Sequence, residues 1–165
     1  MAMETPHKMI AMEDSLNSLG LTQKNRDALA LAHKKLAITY LKEKNYIDAK
    51  AHFSNVLNYS TFDSIAQYHI FMIDGHLLRQ TGNRKKLWDA IEIYYKAQRL
   101  YSSNGEPYFF IGKAYQSLDK NDFDLILESY QKALQLELPK LLKDEVEKEI
   151  LSLLTRKKKL KDFWK

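Results

Sequence analysis

One internal repeat limits this chain more than any other feature. Leu36, Ala37 and Tyr40 are followed by Tyr46, Ala49, Phe53 and Val56, and Thr61 closes the set. Phe71, Gly75, Leu78 and Gly82 are followed by Leu87, Ala90, Tyr94 and Ala97. Tyr108, Ile111, Gly112 and Tyr115 precede Phe123, Ile126, Tyr130 and Ala133, and Pro139 ends the series. Equivalent positions recur about 34 to 41 residues apart. A period of this length describes one supersecondary unit that cannot bury its apolar face alone and stacks on copies of itself.

The spacing within each unit is helical. Apolar residues return at three and four positions, and polar breaks fall near Lys44-Asn45, Ser60-Thr61, Gly82-Asn83, Ser102 to Gly105 and Lys120 to Asp122. These breaks delimit six helices in three pairs over residues 22–139. Only five Gly and three Pro occur in 165 residues, too few for many strands and hairpins. Ahead of the pairs, residues 1–21 form a further element, with Thr5 and Pro6 opening a short helix that carries Met9, Met12, Leu16 and Leu19 and stops at Gly20. Behind them, residues 140–165 carry Leu142, Val146, Ile150, Leu153 and Leu154 on one helical stripe, the closing helix that a stack needs over its last apolar face. The expectation is all-α, with seven or eight helices and no sheet.

The small residues Ala37, Gly75 and Gly112 let two helices approach closely while Tyr40, Leu78 and Tyr115 fill the space beside them. This pattern resembles the tetratricopeptide repeat. The resemblance covers about 110 residues and implies a right-handed superhelical stack of helix-turn-helix pairs. Ile126 stands where a small residue is expected and Asp74 where a large apolar one is. The turns around Asn83 to Lys86 and Lys120 to Asp122 are expected to be longer than usual.

In proteins of that kind the first helix of each pair lines a concave surface that holds a peptide or helix of a partner. Projecting the helical period onto those helices turns Lys34, Ile38, Leu41, Met72, His76, Arg79, Phe109, Lys113 and Gln116 away from the core, with Ile73 and Phe110 at the margins. The implied function is an adaptor or scaffold for an amphipathic partner segment. One subclass grips the carboxylates of chaperone tails with Lys, Asn and Arg on the same helices. Here only Lys34 matches, while Ile38, Ile73, Glu106 and Phe110 hold the other places, and Glu106 repels a carboxylate. The layout also resembles bacterial secretion or envelope-assembly chaperones, although those tend to be acidic.

Charge separates the remaining readings. The net charge of +5 lies wholly in residues 156–165, where Arg156, Lys157, Lys158, Lys159, Lys161 and Lys165 face one acid, Asp162. The body is neutral, so an RNA-associated role would rest on this basic tail alone. The five histidines are scattered, and only His69 and His76 share a helix at a spacing that puts both on one face, too few ligands for a metal site. No phosphate-cradling loop, nucleophile elbow or metal-binding helix motif is present. Neither catalysis nor a cofactor is expected. No stretch reaches the roughly 18 apolar residues of a membrane span, and the first 20 residues lack the apolar run of a signal peptide. The absence of Cys suits cytoplasm and bacterial periplasm equally. Met1-Ala2-Met3 reads as a cloning start, which leaves room for a natural targeting segment.

Overall fold

The structure is a computed structural model that describes residues 5–163; the opening Met1-Ala2-Met3 and the tail residues Trp164 and Lys165 lie outside the described residues. Among the described residues there are nine helices and no strand. They are α1 (Pro6–Ala11), α2 (Glu13–Leu19), α3 (Gln23–Lys42), α4 (Tyr46–Tyr59) and α5 (Ser64–Gln80), followed by α6 (Arg84–Leu100), α7 (Glu106–Leu118), α8 (Phe123–Leu134) and α9 (Lys140–Phe163). The expected N-terminal helix is two helices. At Met12 the backbone N–H turns back to Met9 and Ile10 carbonyls, a tightened turn that separates α1 from α2.

Helix starts and stops have local causes. The side chain of Thr22 accepts from the Asn25 N–H at 3.2 Å, Asp63 from Ala66 at 2.9 Å, and Asn83 from Lys85 at 3.0 Å. Each bond satisfies an amide that the first turn leaves unpaired. Gly20 and Gly82 end their helices at φ 85° and 65°, and Lys44 takes φ 58° in the turn before α4. The turn after α5 holds residues 81–83, no longer than the turn of residues 43–45, while the turn before α8 holds residues 119–122. The longer turn expected after Gly82 is therefore absent, because α6 starts at Arg84 and draws the extra residues into helix. A bridge between Asn104 and Glu137 ties the loop before α7 to the loop after α8, with the Gly105 N–H donating to the Glu137 carbonyl at 2.9 Å.

The contacts divide the chain into two compact units, Met1–Ile73 and Asp74–Lys165, with the boundary inside α5. In the first unit α3 and α4 form an antiparallel hairpin, and α1 lies on α3. Leu29, Ala32, Leu36, Ala37, Ala49, Phe53 and Val56 are buried there, and Phe53 stacks on His69 with ring centroids 4.8 Å apart. In the second unit α7 packs on both α6 and α8, and α8 packs on α9. Its core contains Leu87, Ala90, Tyr94, Phe109, Ile111, Tyr130 and Ala133, and Ile126 fills the place expected for a small residue.

The small residues act as the repeat pattern implies. A Cβ built on Gly75 would lie 2.3 Å from Cε1 of Tyr94, and one on Gly112 would lie 2.5 Å from Cε1 of Tyr130. Each glycine receives the buried tyrosine ring of the following helix. The closing helix buries Val146 and Leu153 against Phe109, Ile126, Tyr130 and Ala133. Leu154, read as part of that stripe, is 45% exposed, so the buried stripe ends at Leu153.

Candidate functional site

Of the eleven first-helix residues turned away from the core or to its margin, Lys34, Ile38, Leu41, Met72 and Ile73 lie in the first unit and the other six in the second. In the first, Lys34 on α3 pairs with Asp63, which also caps α5 through the Ala66 N–H. Burial pushes the Asp63 carboxyl up, but the bonds from Lys34 and the amides outweigh it and hold the group below its ordinary range. Ile38 is exposed and Leu41 half-buried. Met72 and Ile73 are 3% and 0% exposed. The helical projection that placed Met72 on the open surface and Ile73 at its margin fails for both, because each is buried.

In the second unit the structure brings His76, Arg79, Phe109, Phe110 and Lys113 into one cluster. The Phe110 ring meets His76 edge-on at 4.4 Å, stacks beside Tyr94 at 5.7 Å and meets Phe109 edge-on at 5.0 Å. The Arg79 guanidinium lies over Phe110 at 5.7 Å, and the Lys113 ammonium over Phe109 at the same distance. Phe109 is 1% exposed and His76 7% exposed, so these two belong to the core and not to an open surface. His76 hydrogen-bonds the Tyr94 hydroxyl through Nδ1 at 2.9 Å, and burial first, with Arg79 second, lowers its pKa to about 4. It is a neutral core imidazole at ordinary pH. Arg79, Phe110 and Lys113 remain half-exposed.

Partners on α9 escaped sequence reasoning. Glu149 receives Lys113 Nζ at 2.8 Å on one carboxylate oxygen and Gln116 Nε2 at 3.3 Å on the other. Gln116 in turn accepts from the Tyr130 hydroxyl at 3.1 Å. The tail is also divided in its roles. Arg156 lies over the Phe123 ring and donates to the Lys120 carbonyl, and Lys157 lies over the same ring and pairs with Asp124 at 2.8 Å. Lys158, Lys159 and Lys161 are exposed.

The histidines that meet are not the pair suggested by spacing. His33 on α3 and His52 on α4 face each other through their Nδ1 atoms at 2.9 Å, and the other ring nitrogen of His33 lies 3.2 Å from Glu13 on α2. Helical spacing cannot reveal such a pair because its members stand on different helices. Among the described residues no three His, Asp or Glu side chains gather as a metal ion would need, and no helix is long and apolar enough to cross a membrane.

Successive helix pairs, with Tyr94 closing on Gly75 and Tyr130 on Gly112 and a capping helix after the last pair, define a tetratricopeptide-like fold. A solved structure of that fold agrees: the chain is similar to the first TPR domain of the human RPAP3 protein, with a TM-score of 0.51 and 21% identity over 79% of this chain and 95% of that domain. No family model matches the chain, and no curated protein sequence matches it.

Proposed function

We propose that the chain is a protein–protein interaction module, an adaptor or scaffold that takes an amphipathic, acid-bearing segment of a partner on the first-helix surface of its pairs. The observation that carries this reading is the grip of Lys113 and Gln116 on Glu149. The first helix of the last pair already holds an amphipathic helix by its carboxylate, beside the buried contacts of Val146 and Leu153. The same chemistry suits a partner helix docking in a groove. Arg79 over the half-exposed Phe110 supplies a cation and an aromatic face for it in the second unit. The basic tail is a weaker basis for an RNA-associated role, because Arg156 and Lys157 already serve Phe123, Asp124 and the Lys120 carbonyl.

The test begins with affinity capture from the native host and mass spectrometry, followed by titration of the captured segment against wild type and Arg79→Glu. A loss of affinity of about tenfold or more, with an unchanged denaturant midpoint, supports the reading. Unchanged affinity for a verified partner moves the interface away from Arg79 and ends it.

A further inference from the structure

Helix α9 outruns the pair that it caps, with 24 residues against the 12 of α8. Its buried stripe recurs every seven residues, and Val146, Leu153 and Leu160 are 0%, 1% and 37% exposed in that order. The cover thins where α8 begins. Phe123, the first residue of α8, lies against Arg156 and Lys157, and the Lys120 carbonyl in the preceding turn accepts from Arg156. Residues 158–163 therefore carry α9 past the edge of the last pair, by about 9 Å at the helical rise.

The projecting turns are both basic and apolar. Lys158, Lys159 and Lys161 are exposed, and Asp162 is the single acid among them. Leu160 continues the apolar stripe between Lys159 and Lys161, which helical phase sets about 100° to either side of it. Phe163 follows one turn on, 79% exposed, and the sequence continues with Trp164 and Lys165. Because the rest of the chain is neutral, the field of this end calls for an anionic surface. The apolar stripe narrows the choice. A nucleic-acid backbone takes the lysines but offers Leu160 no apolar contact. A stable protein interface buries roughly 800 Å² on each partner, more than six residues at a helix end present, and a second copy would bring like charge. A bilayer boundary suits both sets of side chains. Anionic headgroups attract lysines, and amphipathic helices bury apolar groups about 5–10 Å into the boundary, the scale of this projection.

We propose that the projecting turns of α9 are a peripheral anchor for an anionic lipid surface, with Lys158, Lys159 and Lys161 at the headgroups and Leu160 and Phe163 entering the boundary beside them. No helix among the described residues can cross a membrane, so the attachment is to one face of a bilayer. Three lysines and two apolar side chains make a reversible hold that needs anionic lipid and weakens with salt. The anchor is independent of the docking reading, since it uses none of Arg79, Phe110 and Lys113.

The test mixes the full-length protein with vesicles of phosphatidylcholine alone or of phosphatidylcholine with phosphatidylserine and separates them by flotation. The protein is expected to float with the anionic vesicles only and to leave them in high salt. Lys158→Glu, Lys159→Glu and Lys161→Glu together are expected to weaken the binding about tenfold or more. Leu160→Ser, with its circular dichroism unchanged, is expected to weaken it about fivefold or more. Trp88→Phe leaves Trp164 as the single tryptophan and α9 unaltered, and phosphatidylcholine brominated on its acyl chains is expected to quench that emission in the anionic vesicles. Absence of flotation with anionic vesicles, flotation that Leu160→Ser leaves intact, or unquenched Trp164 emission would each overturn the anchor. Single-stranded RNA that displaces the protein from the vesicles and binds Leu160→Ser as tightly as the unaltered chain would overturn it too, and would assign the lysines to nucleic acid.

Discussion

At the scale of single residues, the two helical glycines are the most exposed to test. Tyr94 and Tyr130 are fully buried rings, so neither can move aside for the Cβ that would stand 2.3 Å from one and 2.5 Å from the other. Gly75→Ala and Gly112→Ala are each expected to cost about 1–3 kcal/mol, read as a lower denaturant midpoint with an unchanged slope. His76 gives a pH signature with a defined sign. Its folded pKa is about 4 against 6.5 unfolded, so between those values the unfolded chain binds the extra proton. Stability is full above pH 6.5 and falls as pH drops toward 4, by at most about 3 kcal/mol for this group. Chemical denaturation at several pH values should show a shallower loss in His76→Gln, which keeps a hydrogen-bonding group near Tyr94 without a titratable ring. Asp63 acts in the same sense at lower pH: its depressed pKa stabilises the fold above the ordinary carboxylate range and ceases to do so as the group protonates.

At the scale of elements, the end of α9 and the second-unit ring cluster carry the consequences. Phe109→Ala removes a ring packed against Phe110, Tyr130 and the Lys113 ammonium. It is expected to cost about 3–5 kcal/mol of stability, so any accompanying loss of partner binding would report unfolding and not a lost docking contact. Arg79→Glu is the cleaner probe of a surface role. Cutting the chain after Lys157 keeps Val146, Leu153 and the Arg156 and Lys157 contacts with Phe123 and Asp124. That protein should remain soluble and monodisperse by light scattering. Cutting after Leu141 bares Phe109, Ile126, Tyr130 and Ala133 and should cause aggregation. Equal behaviour of the two would remove the capping role from α9.

For the molecule as a whole, the all-helical fold was legible because its causes are local and repeated. The break residues at Asn45, Asn83 and Asp122 carry their own capping chemistry, and Ala37, Gly75 and Gly112 announce close helix contacts wherever they recur. The break at Met12 was not legible, since no Gly or Pro marks it. The candidate site was legible only in part. Helical phase assigns each side chain a direction relative to its own helix, which suffices for Ile38 and Arg79 but fails for Met72, His76 and Phe109. Whether an outward-pointing residue meets solvent depends on what else packs there, and α9 supplies that cover over Phe109 in the last pair. The same limit hides Glu149 beneath Lys113, Asp63 beneath Lys34 and the facing imidazoles of His33 and His52. Sequence by itself determined the helices of the repeats, most of their ends and their small-residue contacts, because those depend on neighbours within one or two turns and on a repeat that displays itself. Tertiary structure alone decided which cations are already paired and which rings are already covered, because those partners come from residues tens of positions away.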